Sequence, residues 1–250
     1  MKLVDVHGHL GAWTSPVGGG VEPLIAMVRK WNIERCILSA ARALLVDLKT
    51  GNRELEAAVE QHDELLGYVY IDPTHPDESV AEIERYAGHP KFVGVKSRPE
   101  YHDLKLDAPE YRPALEAAAA HRMPALIHYW HPRPPSEHMA LADELDLPII
   151  LAHVGGESWK ICAEAVTDCP NIYLDYACSR ADAGKIEHGL AHVGADRILL
   201  GTDLMLIHPA WTIGMYESAE ITDADRRKIF RTNAIRLFNL DLPPDEGTGT

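Results

Sequence analysis

Hydrophobic positions gather in eight short apolar runs, at residues 3–6, 33–40, 65–71, 92–96, 124–128, 148–153, 172–176 and 197–202. The runs are rich in Ile, Leu and Val, and most lack a regular polar alternation. Strands covered on both faces have that pattern, whereas a strand with one wet face alternates. Between them lie segments of helical spacing, over 21–30, 53–61, 78–87, 109–121, 182–191 and 223–238, with further helices after Pro135 and after Gly155-Gly156. Asp72-Pro73 and Arg98-Pro99 supply stop signals, because the residue before a proline is biased out of the helical region. Alternating strands and helices build a parallel sheet, and eight units predict a (β/α)8 TIM barrel in a single domain. An open doubly wound sheet shares the alternation, but eight units are many for it and no Gly-x-Gly-x-x-Gly is present. No break in composition marks a linker. The barrel is expected over residues 1–240, with 241–250, carrying Pro-Pro and Gly-Thr-Gly-Thr, as a flexible tail.

Composition narrows the partners. The formal net charge is −14 and no basic block offsets it, which argues against nucleic acid. Cys36, Cys162, Cys169 and Cys178 show no Cys-x-x-Cys spacing, so they read as reduced thiols and the expected location is cytoplasmic. No apolar stretch is long enough to span a bilayer, so no membrane partner is expected. The chain also enters a strand-like run at once, carrying Asp5 and His7, unlike a signal peptide. A homo-oligomer such as a dimer would be unremarkable.

The candidate chemistry sits where the runs end. Side chains alternate along a strand, so His7 and His9 point the same way, and Gly8 between them leaves a bound ion uncrowded. A lone histidine is more often a satisfied core residue than a ligand. Here, however, Lys96, His128, His153 and Asp203 also fall at the last or next position of later runs. In a barrel these ends share one rim, where function resides. Imidazoles with one carboxylate suit a divalent ion, zinc best, with manganese, iron or nickel also compatible. Arg98, Tyr101, Trp130 and Arg180 occupy loops on the same rim as candidate substrate-binding residues. Arg42, His75, His102, His131, Arg133, His208 and Trp211 are further rim candidates. Paired guanidinium donors fit a carboxylate and aromatic faces cover a ring, which points to a small anionic substrate. Asp5 is expected to orient a ligand or the loop that carries it. His62, His89, His121, His188 and His192 read as ordinary surface groups.

The stretches Val4-Asp5-Val6-His7-Gly8-His9, Phe92-Val93-Gly94-Val95-Lys96, Ala125-Leu126-Ile127-His128, Ile150-Leu151-Ala152-His153-Val154-Gly155-Gly156 and Leu199-Leu200-Gly201-Thr202-Asp203 occur in this order, followed by the closing segment 229–238. Together they resemble the amidohydrolase superfamily, and within it the amidohydrolase-2 group of metal-dependent hydrolases and decarboxylases. The resemblance implies that His7, His9, His128 and Asp203 hold the principal ion, with Asp203 also shuttling a proton. It implies that His153 binds a second ion or donates a hydrogen bond to the attacked oxygen. Lys96 has two readings: carboxylated and bridging two ions, or an ammonium that binds a substrate carboxylate. The leading activity is hydrolysis of a small amide, lactone or ester by a water that the ion activates. The alternative is non-oxidative decarboxylation of an aromatic or unsaturated carboxylic acid.

Overall fold

The computed structural model describes residues 1–14 and 17–243. Eight parallel strands follow one another round a sheet: β1 (Leu3–Thr14), β3 (Ile33–Ala40), β4 (Leu65–Tyr70), β5 (Phe92–Ser97), β6 (Ala125–His128), β7 (Ile149–Ala152), β8 (Ile172–Asp175) and β9 (Ile198–Leu199). A short β2 (Val17–Gly19) folds back antiparallel on the far end of β1, which is why β1 runs well beyond the expected 3–6. The ends of the sheet meet. Val6 N donates to Leu200 O at 2.9 Å, and the chain after β9 bonds to β1 through Leu204 N to His7 O and His9 N to Leu204 O. That closure makes a single-domain (β/α)8 barrel and removes the open doubly wound sheet from consideration.

The unbroken apolar runs have a direct cause. Along β7, Ile150 and Ala152 fill the barrel interior while Ile149 and Leu151 pack against the helices, so both faces are dry. The interior cluster, with Val4, Val6, Ile37, Leu66, Tyr68, Leu126 and Leu199, is plugged below by Ala234 and Phe238.

The helices are α1 (Val21–Lys30), α2 (Ala41–Leu45), α3 (Leu48–Gln61), α4 (Pro76–Tyr86), α5 (Arg112–Ala120), α6 (Ser136–Glu144), α7 (Trp159–Ala165), α8 (Lys185–Val193), α9 (Pro209–Ser218), α10 (Asp223–Arg227) and α11 (Asn233–Leu237). The expected helix over 223–238 is interrupted by a π turn at Lys228–Thr232. α3 begins earlier than expected because the Asp47 carboxylate accepts from Thr50 N at 2.7 Å and caps it. α2 is too short, and the periodicity of α9 too weak, to be read in advance. Of the expected tail, residues 244–250 lie outside the described residues, and Pro243 is tied down, its carbonyl accepting from Arg231 Nη2 at 2.8 Å. All four cysteines are free, three of them buried. No helix among the described residues is long and apolar enough to cross a membrane.

A candidate metal centre at the barrel rim

β1 reaches the rim through an irregularity. Its register against β3 shifts between Asp5 and Gly8, so Val4 and Val6 face the interior and His7 and His9 do so as well. Gly8 therefore points outward. A side chain there would meet Leu38 Cδ2 at 2.7 Å and Leu204 Cβ at 3.2 Å. The sequence reading had Gly8 making room for an ion; the structure shows it making room for the neighbouring strands.

His7, His9 and Asp203 form the centre of the cluster, with one potential ligand atom from each lying within 4.8 Å of the others. His9 Nε2 stands 3.0 Å and His7 Nε2 3.5 Å from Asp203 Oδ1. Both rings are oriented from behind. His7 Nδ1 donates to Asp175 Oδ2 at 2.6 Å, and His9 Nδ1 lies 3.0 Å from Ser39 Oγ. Backing partners of this kind set the tautomer and aim the other nitrogen. Lys96 Nζ is 3.4 Å from His7 Nε2. His153 Nδ1 is held by the carbonyl of Ala177, and its ring centroid lies 5.0 Å from that of His7 and 4.7 Å from that of His128. His7, His9, Lys96, His128, His153 and Asp203 all line one cavity of about 30 Å3, together with Trp13, Leu44, Arg98 and Leu206.

The electrostatics favour a cation. Burial, reinforced by Lys96, lowers His7 well below its ordinary value, and burial lowers His9 and His128, so their imidazoles are neutral lone-pair donors. His153 is pushed down to about 4 by burial and by its neighbour His128. Burial alone would raise Asp203; the surrounding histidines, His9 nearest at 3.0 Å, hold its carboxyl far below the usual range. Burial raises Asp175 to about 6, leaving a carboxylate at neutral pH. Lys96 is drawn down to about 8 by burial, against the pull of Asp203 and Asp175. Asp203 Oδ1 is buried without a hydrogen bond to satisfy it. Three neutral or anionic donors, a polar atom in need of a partner and space of ion-plus-water size fit a divalent cation.

Three participants escaped the sequence reading. Asp175 is the inward residue at the tip of β8; the run was read on to Tyr176, which hid an acid at its end. Ser39 holds the equivalent place on β3, and a serine in an apolar run carries little signal. Glu100, in the turn Pro99–Tyr101, lies 2.9 Å from His128 Nδ1 and 3.3 Å from His131 Nε2. Burial opposes its ionisation, but those imidazoles bring it down to about 2. Asp5 does serve as an organiser, accepting from His7 N at 3.0 Å, Thr202 N at 3.0 Å and Thr202 Oγ1 at 2.5 Å.

The expected substrate-binding residues divide. Arg98 lines the cavity, with its Nε buried and unpaired, and its guanidinium lies 4.0 Å from the Tyr101 ring centroid and 5.8 Å from that of Trp13. Trp130 lies beside the cavity, its ring centroid 5.7 Å from that of His153. Arg180 does not line it; its exposed side chain pairs with Glu157 at 2.5 Å. Arg42 and Arg133 are likewise engaged, with Glu54 and Glu137. Loop arginines on an acidic chain find carboxylates nearby, which sequence position cannot reveal. A second cavity, of about 420 Å3, shares His128 as a wall and is also lined by Glu100, His131, Arg133 and His138.

Comparison with known proteins agrees with this architecture. The chain is 23% identical to a gamma-resorcylate decarboxylase of Rhizobium sp. (strain MTP-10005), over 96% of this chain and 86% of that one. The crystal structure of 2,6-dihydroxybenzoate decarboxylase complexed with 2,6-dihydroxybenzoate superposes with a TM-score of 0.78 at 20% identity, covering 96% of this chain and 99% of that one. A dihydroxybenzoic acid decarboxylase from Polaromonas sp. JS666, with bound manganese and the inhibitor 2-nitroresorcinol, gives 0.76 at 19% identity, covering 97% and 98%. The amidohydrolase family model matches residues 4–240, nearly the whole length. The chain is a member of the amidohydrolase family.

Proposed function

We propose that this protein is a metal-dependent decarboxylase of an aromatic carboxylic acid. The observation that carries the reading is the convergence of His7, His9, His128, His153, Lys96 and Asp203, from five separate strand ends, on one cavity. Of the two activities expected from sequence, the named relatives favour decarboxylation over hydrolysis. His7, His9 and Asp203 would hold the ion, with His128 and His153 beside them. The imidazoles favour zinc, and a relative's manganese makes that ion an equal candidate. When bound, the ion supplies positive charge that fixes anionic substrate groups and offsets charge developing on them.

The chain's own residues provide the rest. Lys96 and Arg98 put cationic groups on the cavity wall where a substrate carboxylate can dock. Trp13, Tyr101 and Trp130 offer faces for an aromatic ring. Loss of carbon dioxide replaces a carbon–carbon bond with a carbon–hydrogen bond, so a proton must reach the ring carbon. Asp203, ionised and 3.0 Å from His9, is the relay that would take a proton from water and deliver it to the ring carbon as the carbon–carbon bond breaks and carbon dioxide leaves. Asp175 and Ser39 keep the two β1 imidazoles aimed while this happens.

The test offers Mn2+- and Zn2+-loaded enzyme a panel of hydroxylated benzoic acids beside aryl esters and lactones, and measures carbon dioxide release and ester cleavage. Carbon dioxide release from a benzoic acid is expected, with D203N lowering kcat by about a thousandfold. Ester or lactone cleavage without any carbon dioxide release would overturn the reading.

A further inference from the structure

Away from the rim, α7 and α8 pack side by side and bring three metal-ligating side chains together. His188 and His192 are four residues apart on α8, and so share one face. Their ring centroids are 4.5 Å apart. Glu164, on α7, reaches across with Oε1 3.3 Å from His188 Nε2. One ligand atom from each lies within 4.8 Å of the others. His188 Nε2 is buried and makes no hydrogen bond, despite the nearby carboxylate. The indole of Trp159 meets the His188 ring edge-on at 5.3 Å and limits its freedom. His192 Nδ1 has only a long contact, 3.4 Å, with Thr167 Oγ1.

We propose that Glu164, His188 and His192 form a second metal site, which takes a divalent cation of the zinc class. Two imidazoles from one helical face and a carboxylate from the neighbouring helix supply three ligands of a tetrahedron. The exposed side of Glu164 leaves the fourth place to water. Bonds of about 2.0–2.1 Å to the ion require the three side chains to draw in by small rotations. A second cluster, Glu56, Glu60 and His89, lacks these features. It has one imidazole, whose Nδ1 accepts from Lys91 N, and Glu56 is engaged by Arg85 and Tyr86.

The position suggests what the ion does. α7 follows the turn that carries His153, and α8 follows the strand that ends in Asp175. An ion bound by both helices braces the frame behind two residues of the rim without touching the rim itself.

The experiment counts zinc in the full-length enzyme and in H188Q/H192Q after equilibration with Zn2+ and removal of unbound ion, and follows thermal unfolding of both. The wild type is expected to hold one equivalent more than the double variant. Its midpoint should rise by about 5 °C more at a hundredfold excess of Zn2+ over the site's Kd. E164Q, which keeps both imidazoles, is expected to bind Zn2+ more weakly at this site. The double variant should keep wild-type turnover, since these residues lie outside the rim. Equal zinc content and an equal rise in midpoint for the wild type and H188Q/H192Q would overturn the proposal.

Discussion

His153 and Asp203 hold left-handed backbone, with φ of 70° and 56°, a region that costs side-chain-bearing residues energy. Val154, beside His153, does so as well, at φ 47°. The surrounding fold imposes these conformations, and the side chains of His153 and Asp203 line the cavity at the barrel mouth. A different residue adds to acid sensitivity. His138 is buried with neither ring nitrogen hydrogen-bonded, and burial pushes it down to about 4. Between pH 6.5 and 4 the unfolded chain therefore takes up a proton that the folded chain refuses. This group's contribution is constant above pH 6.5, falls as pH drops through that window, and levels off below pH 4. The loss should approach about 3 kcal/mol. Urea unfolding at pH 7 and pH 4.5 should show a smaller drop in stability for H138Q than for the wild type. An equal drop would show that other groups set the acid response.

At the scale of elements, the centre depends on how closely neighbouring strand ends approach. β8 and the segment after β9 are so near that a Cβ at Gly201 would overlap the Asp175 carboxylate. That carboxylate is the one that orients His7. Gly201→Ala should push Asp175 off His7 and weaken metal binding by about 10- to 100-fold, while the barrel still folds. Metal affinity measured with a competing chelator checks this, and an unchanged affinity would show that His7 needs no such support. The shift in β1 register works at the same scale, since without it His7 and His9 would lie on the face opposite Val4 and Val6.

For the whole molecule, two side-chain ties brace the closed ring. Asp5 ties β1 to Thr202 at the rim side, and Arg231 ties the last helical segment to the start of β3 at the other. Arg231 is 2% exposed and its Nη2 bonds Glu34 Oε2 at 2.7 Å. Removing Arg231 leaves Glu34 with only its exposed partner Lys2, 2.8 Å away, so Arg231→Ala should cost about 1.5–3 kcal/mol of unfolding free energy. Denaturant unfolding measures it directly; a loss below about 1 kcal/mol would place the pair among weak surface contacts. The ring itself was legible from sequence, because strands dry on both faces leave continuous apolar runs. The rim positions of His7, His9, Lys96, His128, His153 and Asp203 were legible for the same reason, as polar residues closing those runs.

Local chemistry therefore determined the eightfold alternation, the six rim residues and the family likeness, since each is written in contiguous residues. Tertiary structure alone decided which backbone bonds close the sheet, the outward turn of Gly8, the roles of Asp175, Ser39 and Glu100, and the removal of Arg180 from the cavity. It also joined Glu164 to a histidine pair that had looked like plain surface. Each of these depends on which distant segments touch, or on a shift of a single residue in strand register. Hydrophobic periodicity reports only whether a position is buried, and is blind to what lies across from it.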